Sequence, residues 1–542
     1  MAQYNSLTRY RVPAILAIVH LVLAFLAFQP VPHPGGDNAV YLSVARSILQ
    51  GSYRDIFDPA LPYHVVYPPG FPLITAAGLS LGLEPWIGLK IITIVFSTAM
   101  VVLIWLHARR EGSVVATLVA GLVAISPGVV ALSHWELSDV PFTAFTIAAL
   151  IAWRRVENGK LGPVILGSVL TLACYSLRSA ALALIIAAGV WLLTKKRWRD
   201  LAVFAAVIVP PAAAWSVFTR GQAGYFQQLF IADAYSTQRE VGIGGLFSRI
   251  AENIDAYAGQ YLPVLMSGES PRWMLGLVLP MLGIAVAEWA MRISSSKRSV
   301  LECFVPAYAG MILLWLPQFS GERLLLPLYP FLLLYAALGL ARLTSGMPVA
   351  VRRAAYVVAP SAFLLAAIPG MREDIESGMR CTVMYREGNR YPCVTQGWQD
   401  FFEASALSKS ILPDSSIVLS RKPAFLFALS GHRGRLYPYT RDPKVLIDSA
   451  RAIGARYLVV DQIDELATRY TVPAVLRRPG AFCVMRTFGP ERATIFGITA
   501  DADRLPNRGD DVGEGSHEVS FKTCGEEYWR EGAWSTAPST EY

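Results

Sequence analysis

Charged residues are scarce in this sequence. Only 16% of its 542 residues are Asp, Glu, Lys or Arg, whereas 54% are hydrophobic. Soluble globular proteins have about 25% charged residues, so this chain has too few of them to cover a water-exposed surface. The deficit lies before Gly370, and the later sequence has an ordinary soluble composition. Composition therefore excludes one large soluble protein and predicts a membrane domain, residues 1–370, followed by a smaller soluble domain, residues 371–500.

Cysteine is also rare, with six residues in the chain. Four of them follow Gly370: Cys381, Cys393, Cys483 and Cys524. An even set of cysteines outside the cytoplasm is typical of disulfides, and Cys381 and Cys393 are close enough in sequence to form a local pair. The alternative is four free thiols, which would count against an extracytoplasmic location.

Long apolar runs fill the first 370 residues. Because a transmembrane helix needs about 20 apolar residues, we predict about eleven spans. They lie near Pro13–Phe28, Trp86–His107, Val114–Leu132, Val140–Trp153, Leu161–Tyr175, Ala180–Thr194, Leu201–Val217, Trp273–Met291, Val300–Leu316, Leu324–Ala341 and Ala354–Ile368. No small-residue cleavage site follows the first run, so we interpret it as a span and not as a removed signal. The predicted fold is a polytopic α-helical membrane protein.

The net charge of +8 could suggest a nucleic-acid partner. We exclude that partner because the basic residues form short clusters between apolar runs, which is where topology signals lie. The clusters fall in alternate connections: Arg9 and Arg11, Arg109 and Arg110, Arg154 to Lys160, Lys195 to Arg199, Arg292 to Arg298, and Arg342 to Arg353. The positive-inside rule then predicts a cytoplasmic N-terminus and, with an odd number of spans, a C-terminal domain outside the cytoplasmic membrane.

The first predicted outer loop, residues 29–85, is long, and long ordered loops are often functional. It contains a helix signal from Asp37 to Gly51, and we expect this helix to lie flat on the membrane surface. Asp37 has two interpretations that do not exclude each other. It is either a helix N-cap or a catalytic base at the mouth of the helix bundle.

Further polar residues gather at the predicted outer ends of the spans. His134, Glu136 and Asp139 open the fourth span, Arg178 separates the fifth and sixth, and Arg323 precedes the tenth. Ionisable groups at such depths often mark function. The alternatives are helix capping for the acidic residues and ion pairs for the arginines. An anionic lipid headgroup is the functional alternative, because arginine matches phosphate geometry.

Four segments occur in a fixed order on the predicted outer side. They are Gly36-Asp37 with Tyr67-Pro68-Pro69-Gly70-Phe71-Pro72, then Leu137-Ser138-Asp139-Val140-Pro141-Phe142, then Ser176-Leu177-Arg178, and finally Glu322-Arg323-Leu324-Leu325-Leu326-Pro327. Together they resemble the GT-C superfamily of membrane glycosyltransferases, and most closely the branch of the protein O-mannosyltransferases and the lipid A aminoarabinose transferase. The resemblance covers the membrane domain to about Ala341. Glu136 competes with Asp139 for the second acidic position.

The resemblance implies transfer of a sugar from a polyprenyl-phosphate lipid, on the outer face, to a hydroxyl of a glycan, lipid or protein. Asp37 is then the base, with Asp139 in support, and direct attack predicts inversion at the anomeric carbon. Arg178 and Arg323 are the candidates for binding the donor phosphate. The candidates for binding the acceptor or substrate are Tyr41, Tyr67, His134 and Glu136. We expect no cofactor, although His134 with Glu136 leaves a divalent metal open.

The residues after Gly370 predict a small α/β domain. Residues 416–420 and 456–461 have the pattern of buried strands, 444–453 that of a helix, and 482–486 with 493–498 that of an antiparallel pair. Asp461 ends a strand, and we assign it a structural or acceptor-recognition role. The tail, residues 501–542, is rich in Gly, Ser, Asp and Glu, and we expect it to be flexible.

Two other functions remain open. A transporter would need internal repeats and interrupted helices near the membrane midplane, and neither is clear in the sequence. A ligase or polymerase acting on a lipid-linked glycan would share the location and the class of donor.

Overall fold

The computed structural model describes residues 8–156, 160–220, 230–231, 235, 241–295, 298–490, 492–502, 520–531 and 533. The chain forms two compact units. The first unit contains Met1–Pro30 and Val65–Val383, and the second contains Val31–His64 and Met384–Tyr542. The division differs from the predicted domains, because part of the first outer loop belongs with the C-terminal residues.

Helices make up nearly all of the first unit. The α-helices of the described chain up to residue 218 are α1 (Thr8–Leu26), α2 (Asp37–Leu49), α3 (Gly70–Ser80), α4 (Ile87–Ala108), α5 (Ser113–Ala124), α6 (Pro127–Leu132), α7 (Asp139–Trp153), α8 (Leu161–Leu177), α9 (Leu182–Thr194) and α10 (Trp198–Phe218). They continue with α11 (Ile243–Ala256), α12 (Leu262–Ser267), α13 (Leu275–Ile293), α14 (Val300–Leu313), α15 (Glu322–Leu325), α16 (Tyr329–Leu343) and α17 (Val349–Arg386).

The predicted membrane fold is confirmed. Four helical segments of the described chain are long and apolar enough to cross a membrane: Ile87–Glu111, Trp198–Phe218, Arg272–Ile293 and Val349–Arg386. Each of the other predicted spans coincides with a shorter apolar helix of 10–17 residues. The outer surface of these helices carries exposed aliphatic side chains, such as Ile18, Val95 and Ile186, which suits contact with lipid.

A buried ion pair joins α4 to the segment before α7. The ammonium of Lys90 lies 3.1 Å from a carboxylate oxygen of Glu136, and both side chains are at most 2% exposed. Lys90 also donates a hydrogen bond to the carbonyl of His134, at 2.7 Å. The ring of His134 bonds to the carbonyl of Ala24 in α1, at 2.6 Å. These buried polar groups therefore connect α1, α4 and the segment before α7.

A second network links four helical segments at the opposite ends of the spans. Glu111 pairs with Arg154 at 2.5 Å and with Arg292 at 3.0 Å. Arg292 also pairs with Glu288 at 2.7 Å, and the same carboxylate binds Arg342 at 2.7 Å. The basic clusters that indicate topology thus also hold helices together.

The predicted boundary at Gly370 lies inside α17. This helix continues for sixteen residues beyond Gly370, to Arg386. Gly370 packs so closely on the carbonyl of Ser267 that a larger side chain would collide with it. The composition changes at the residue where the apolar surface ends. The helix continues further, because its backbone hydrogen bonds do not depend on whether the side chains are polar. A boundary inferred from composition therefore lies before the end of the helix.

A six-stranded sheet forms the centre of the second unit, in the order β2-β1-β3-β5-β4-β6. Its strands are β1 (Ile417–Ser420), β2 (Arg433–Arg435), β3 (Tyr457–Val460), β4 (Phe482–Phe488), β5 (Ala493–Ile498) and β6 (Lys522–Thr523). Strand β1 is parallel to β2 and β3, whereas β5 is antiparallel to β3 and β4. The helices of this unit after α17 are α18 (Gln396–Ile411), α19 (Pro423–Ser430), α20 (Pro443–Ala452) and α21 (Val472–Arg477). The predicted strands, the helix and the antiparallel pair are confirmed.

Residues 31–64 of the first outer loop are a structural part of this unit. Arg435 in β2 donates two hydrogen bonds to Asp58, at 2.8 and 2.7 Å, and the Gly434 amide donates to the carbonyl of Phe57 at 2.8 Å. The predicted helix is present as α2, and most of its residues are buried. It packs against α19 within the unit, and its position at the membrane surface stays a prediction.

Part of the predicted flexible tail is ordered. Strand β6 pairs with β4, and Cys524 forms a disulfide with Cys483 in β4. The pairing of Cys381 with Cys393 stays a prediction. The tail prediction is wrong for residues 520–531, since the disulfide and the strand pairing fix a polar segment that has little apolar surface of its own. Residues 503–519 lie outside the described part of the chain.

We expect Cys524→Ser to loosen this edge of the sheet. The disulfide spans 41 residues, and closing a loop of that length contributes roughly 3–4 kcal/mol to stability. Amides of β4 and β5 should then exchange on the order of 100-fold faster in the full-length protein. Cys303→Ser, which alters a free cysteine, is the control. Unchanged exchange in the Cys524 variant would show that the sheet edge does not depend on the disulfide.

We also expect Glu136→Gln to destabilise the first unit. The change leaves the Lys90 ammonium buried without its counter-charge, at a cost of about 3–5 kcal/mol. The double variant Lys90→Met with Glu136→Leu should recover most of the loss, because it removes both charges. Thermal unfolding of the purified protein measures the effect, with the exposed Glu373→Gln as control. A Glu136 variant that melts like the wild type would contradict a structural role for the pair.

Candidate functional site

Asp139 and Arg178 meet in the first unit. Asp139 is the first residue of α7, and Arg178 follows the end of α8 in an extended conformation. One Arg178 nitrogen lies 2.6 Å from Oδ1 of Asp139 and donates to the hydroxyl of Ser138 at 3.2 Å. The other carboxylate oxygen of Asp139 is buried and has no hydrogen-bond partner among the described residues. The ion-pair interpretation therefore accounts for one oxygen of Asp139, and the other oxygen is left for another donor. The capping interpretation is wrong, because the N-cap position belongs to Ser138 and no side-chain capping hydrogen bond is formed there.

Two tyrosines lie within electrostatic range of this pair and of Arg323. Tyr308 in α14 interacts electrostatically with Arg178, Asp139 and Tyr257, and Tyr257 in turn interacts with Arg323. Tyr308 also stacks on Phe142 of α7, with ring centroids 6.2 Å apart. Each of the two predicted phosphate-binding arginines therefore lies within electrostatic range of one of these tyrosines. We refer to Asp139, Arg178, Tyr308, Tyr257 and Arg323 as the arginine series.

The connection that leads to Arg323 is fixed by Asn253 of α11. Its amide donates to the carbonyls of Leu313 and Trp315, at 2.9 and 2.8 Å, and its oxygen accepts from the Ser320 hydroxyl at 2.8 Å. These bonds satisfy the carbonyls at the end of α14, which a helix leaves without intrahelical partners. The backbone just before Arg323 is therefore held in place.

The proline-rich motif of the first loop reaches the end of α8. Tyr67 precedes Pro68 and Pro69, and the helix α3 then begins at Gly70. Gly70 lies against the backbone of Ser176, so close that an added Cβ would stand 2.6 Å from its carbonyl oxygen. Two of the motifs that carry the family resemblance therefore touch within the first unit. Tyr67 itself is half-buried.

His134 and Glu136 are already engaged in internal contacts. The imidazole bonds to α1 and the carboxylate pairs with Lys90, as described above. Among the described residues, no group of three or more His, Cys, Asp or Glu side chains is arranged to hold a metal ion. Their role in binding the acceptor remains a prediction, and the structure gives each of them a packing role.

Asp37 lies in the second unit and begins α2. The N-cap position belongs to Gly36, whose φ of 125° is available to glycine and strained for other residues, so the N-cap interpretation of Asp37 is wrong. A carboxylate in the first turn still interacts favourably with the helix dipole. Asp37 also interacts electrostatically with Lys422, which lies between the end of β1 and the start of α19. Tyr41, one turn further along α2, is buried.

A buried polar cluster lies at the carboxyl ends of β1 and β3. The guanidinium of Arg421 lies 3.4 Å from Asp461 and contacts Asp464, and the hydroxyl of Tyr437 donates to Asp461 at 3.3 Å. Burial raises the pKa of Asp461 above its ordinary value, although the charge of Arg421 acts against that shift. These contacts give Asp461 partners within the unit and support its structural role.

Sequence reasoning missed several residues of these networks, among them Lys90, Lys422 and Tyr308. Lys90 could have been found, because a lone charge inside an apolar run is a signal of a buried partner. Lys422 could have been found from the parallel strands, since residues after neighbouring parallel strands meet at one sheet edge. Tyr308 gave no signal, because a tyrosine within a span is ordinary.

Three comparisons relate this chain to known proteins. Residues 66–215 match the family model described as dolichyl-phosphate-mannose-protein mannosyltransferase. Among curated proteins, none is significantly similar to this chain.

Two solved structures share its fold. One is ArnT from Cupriavidus metallidurans bound to undecaprenyl phosphate, with a TM-score of 0.53, 16% identity, and coverage of 90% of this chain and 98% of that one. Another is the oligosaccharyltransferase AglB from Archaeoglobus fulgidus in complex with an inhibitory peptide and a dolichol-phosphate. Its TM-score is 0.56 at 12% identity, with coverage of 95% of this chain and 76% of that one.

At such low identity the structural matches establish the fold, and the family model adds a match in sequence over the segment that holds Tyr67, Asp139 and Arg178. The resemblance inferred from the sequence is thereby confirmed: the chain is a multispan membrane protein with the fold of the GT-C superfamily of glycosyltransferases.

Proposed function

We propose that this protein transfers a hexosyl or pentosyl group from a polyprenyl-phosphate carrier to an acceptor hydroxyl on a glycan, lipid or protein. Two proteins that share its fold support the class of donor. The ArnT structure contains undecaprenyl phosphate, and the AglB structure contains a dolichol-phosphate. A polyprenyl chain is soluble only in a bilayer, so such a donor requires an enzyme that is itself in the membrane.

The observation that carries the proposal is the arginine series. A sugar phosphodiester needs cations that remain charged, and the guanidinium group can bind phosphate oxygens in a bidentate manner. Arg178 is held by Asp139 at 2.6 Å, and Arg323 follows a connection fixed by Asn253. Side chains that are held in place before the ligand arrives lose little entropy on binding.

Asp37 is the proposed base. The acceptor oxygen attacks the anomeric carbon and forms the new glycosidic bond, while its proton passes to the Asp37 carboxylate. The bond from the anomeric carbon to the phosphate oxygen breaks, and the polyprenyl phosphate leaves with the electron pair. A single displacement of this kind inverts the anomeric configuration. The phosphate is a good leaving group, so the reaction requires no general acid. Asp139 orients Arg178 and offers its second oxygen to the acceptor.

We place the reaction on the outer face of the cytoplasmic membrane. The basic clusters support a cytoplasmic N-terminus by the positive-inside rule. The second unit, which contains Asp37, also contains the Cys483–Cys524 disulfide, and disulfides persist in oxidising compartments.

A second candidate activity is transfer of a preassembled oligosaccharide from its lipid carrier. The likeness to AglB, an oligosaccharyltransferase, favours it, because the match extends over 95% of this chain. Purified protein incubated with a polyprenyl-phosphate monosaccharide and with a lipid-linked oligosaccharide separates the two activities by the size of the group that is transferred.

We expect Asp37→Asn to lower turnover by about 10²–10⁴-fold, because the amide cannot accept the proton. Release of a radiolabelled sugar from its polyprenyl-phosphate carrier measures turnover. Asp448→Asn, at an exposed position of α20, is the control and should behave like the wild type. Turnover of the Asp37 variant near the wild-type level would refute the assignment of the base.

We expect Arg323→Ala to weaken binding of the donor lipid by roughly 10–100-fold, the loss typical of one charge-assisted hydrogen bond. Affinity for the acceptor should change little. Titration with the polyprenyl phosphate gives the donor affinity. Arg272→Ala is the control, since Arg272 is an exposed arginine on the same predicted side. Equal donor affinity in the Arg323 variant and the wild type would rule out a phosphate contact from Arg323.

A further inference from the structure

We propose that Lys422, in the C-terminal part of the chain, is a positioning residue for the base Asp37. The inference rests on the proposed function, in which Asp37 removes the proton of the acceptor. It assigns the C-terminal part a direct influence on the reaction, through a side chain that belongs to none of the family motifs in the sequence.

The ammonium of Lys422 holds the turn that leads into Asp37. It donates a hydrogen bond to the carbonyl of Gly35, at 2.5 Å. It also lies over Gly36, where an added Cβ would stand 3.2 Å from the Lys422 nitrogen and 3.3 Å from its Cδ. The glycine that precedes the base is therefore needed for two reasons, its φ of 125° and the approach of this side chain.

Lys422 is itself held from several sides. It follows β1 and occupies the N-cap position of α19, and its amide donates to the hydroxyl of Ser420 at 3.4 Å. Its ammonium lies 5.8 Å from the centre of the Trp398 ring, within the range of a cation–π interaction. Because α2 packs against α19, the elements that carry Asp37 and Lys422 are in direct contact within the unit.

Four charged groups act on Lys422. The positive charge of Arg421 disfavours the protonated form of Lys422, whereas the negative charges of three aspartates favour it: Asp37, Asp461 and Asp464. Burial is the main cause that lowers the pKa of Lys422 below its ordinary value. Arg421 is paired with Asp461 and Asp464, so those two carboxylates are already neutralised in part. Asp37 is the third carboxylate that acts on Lys422, and the attraction between the two charges is mutual.

Lys422 thus has two effects on the base. Its hydrogen bond fixes the backbone from which the Asp37 side chain extends, and its positive charge favours the carboxylate form that can accept a proton. A purely structural lysine would contribute only the first effect. The pH dependence of turnover distinguishes the two cases.

The experiment compares Lys422→Met and Lys422→Arg with the wild type in the full-length protein. We expect Lys422→Met to lower kcat by about 10–100-fold, while the affinity for undecaprenyl phosphate changes less than about twofold. The acidic limb of the kcat/KM profile should move to higher pH by about one unit, because loss of a nearby cation makes a carboxylate easier to protonate. Lys422→Arg should keep the wild-type profile, because it keeps the charge. Lys444→Met, at an exposed lysine of α20, is the control.

The outcomes are distinct. An unchanged kcat and profile in Lys422→Met would overturn the proposal. Weaker binding of undecaprenyl phosphate by more than tenfold would also overturn it, since Lys422 would then be a ligand of the donor. A lower kcat with an unmoved profile would leave only a structural role and equally contradict the inference.

A measurement without turnover separates this inference from the proposed function. Hydrogen exchange of residues 35–42 should accelerate in Lys422→Met and not in Lys444→Met. If Asp37→Asn keeps full activity while this exchange still accelerates, the assignment of the base fails and the contact from Lys422 stands. If exchange does not change, the positioning contact itself is refuted.

Discussion

A charge enclosed by a protein that crosses a membrane needs a counter-charge, because neither lipid nor apolar side chains can solvate it. The architecture of the first unit follows from this constraint. Lys90 is matched by Glu136 inside the bundle, and Glu111 and Glu288 each hold two arginines at the other ends of the spans. In these networks each carboxylate is paired with one or two cations, and the arginine series differs from them in one respect. Asp139 neutralises Arg178 with one oxygen and retains a second oxygen for another group.

The local properties of the sequence could be predicted well. Apolar runs located the helices of the first unit, and the strand patterns located β1, β3, β4 and β5, since each depends on residues close together in the chain. The burial of α2 could not be predicted in this way. Its alternation of apolar and polar residues resembles that of a surface helix, yet most of its residues are buried and it packs against α19.

Long-range contacts could not be predicted from one sequence. Asp58 and Arg435 are 377 residues apart, and no local pattern in either segment indicates the other. The same holds for Lys422 and Gly35, which are 387 residues apart. Motifs identified Asp37, Asp139, Arg178 and Arg323 as a set, but the structure was needed to reveal that Tyr308 and Tyr257 lie within electrostatic range of three of them.

The composition of the second unit has a consequence for biosynthesis. A ribosome produces residues 31–64 long before residues 384–542, yet both segments belong to one compact unit. The early segment therefore lacks its partners Arg435 and Lys422 until the intervening helices have been inserted into the bilayer. Because domains usually fold as they emerge, this order is uncommon, and it couples the folding of the segment around Asp37 to the synthesis of residues 384–542. A chain terminated before those residues would accordingly reach the membrane with residues 31–64 unsupported.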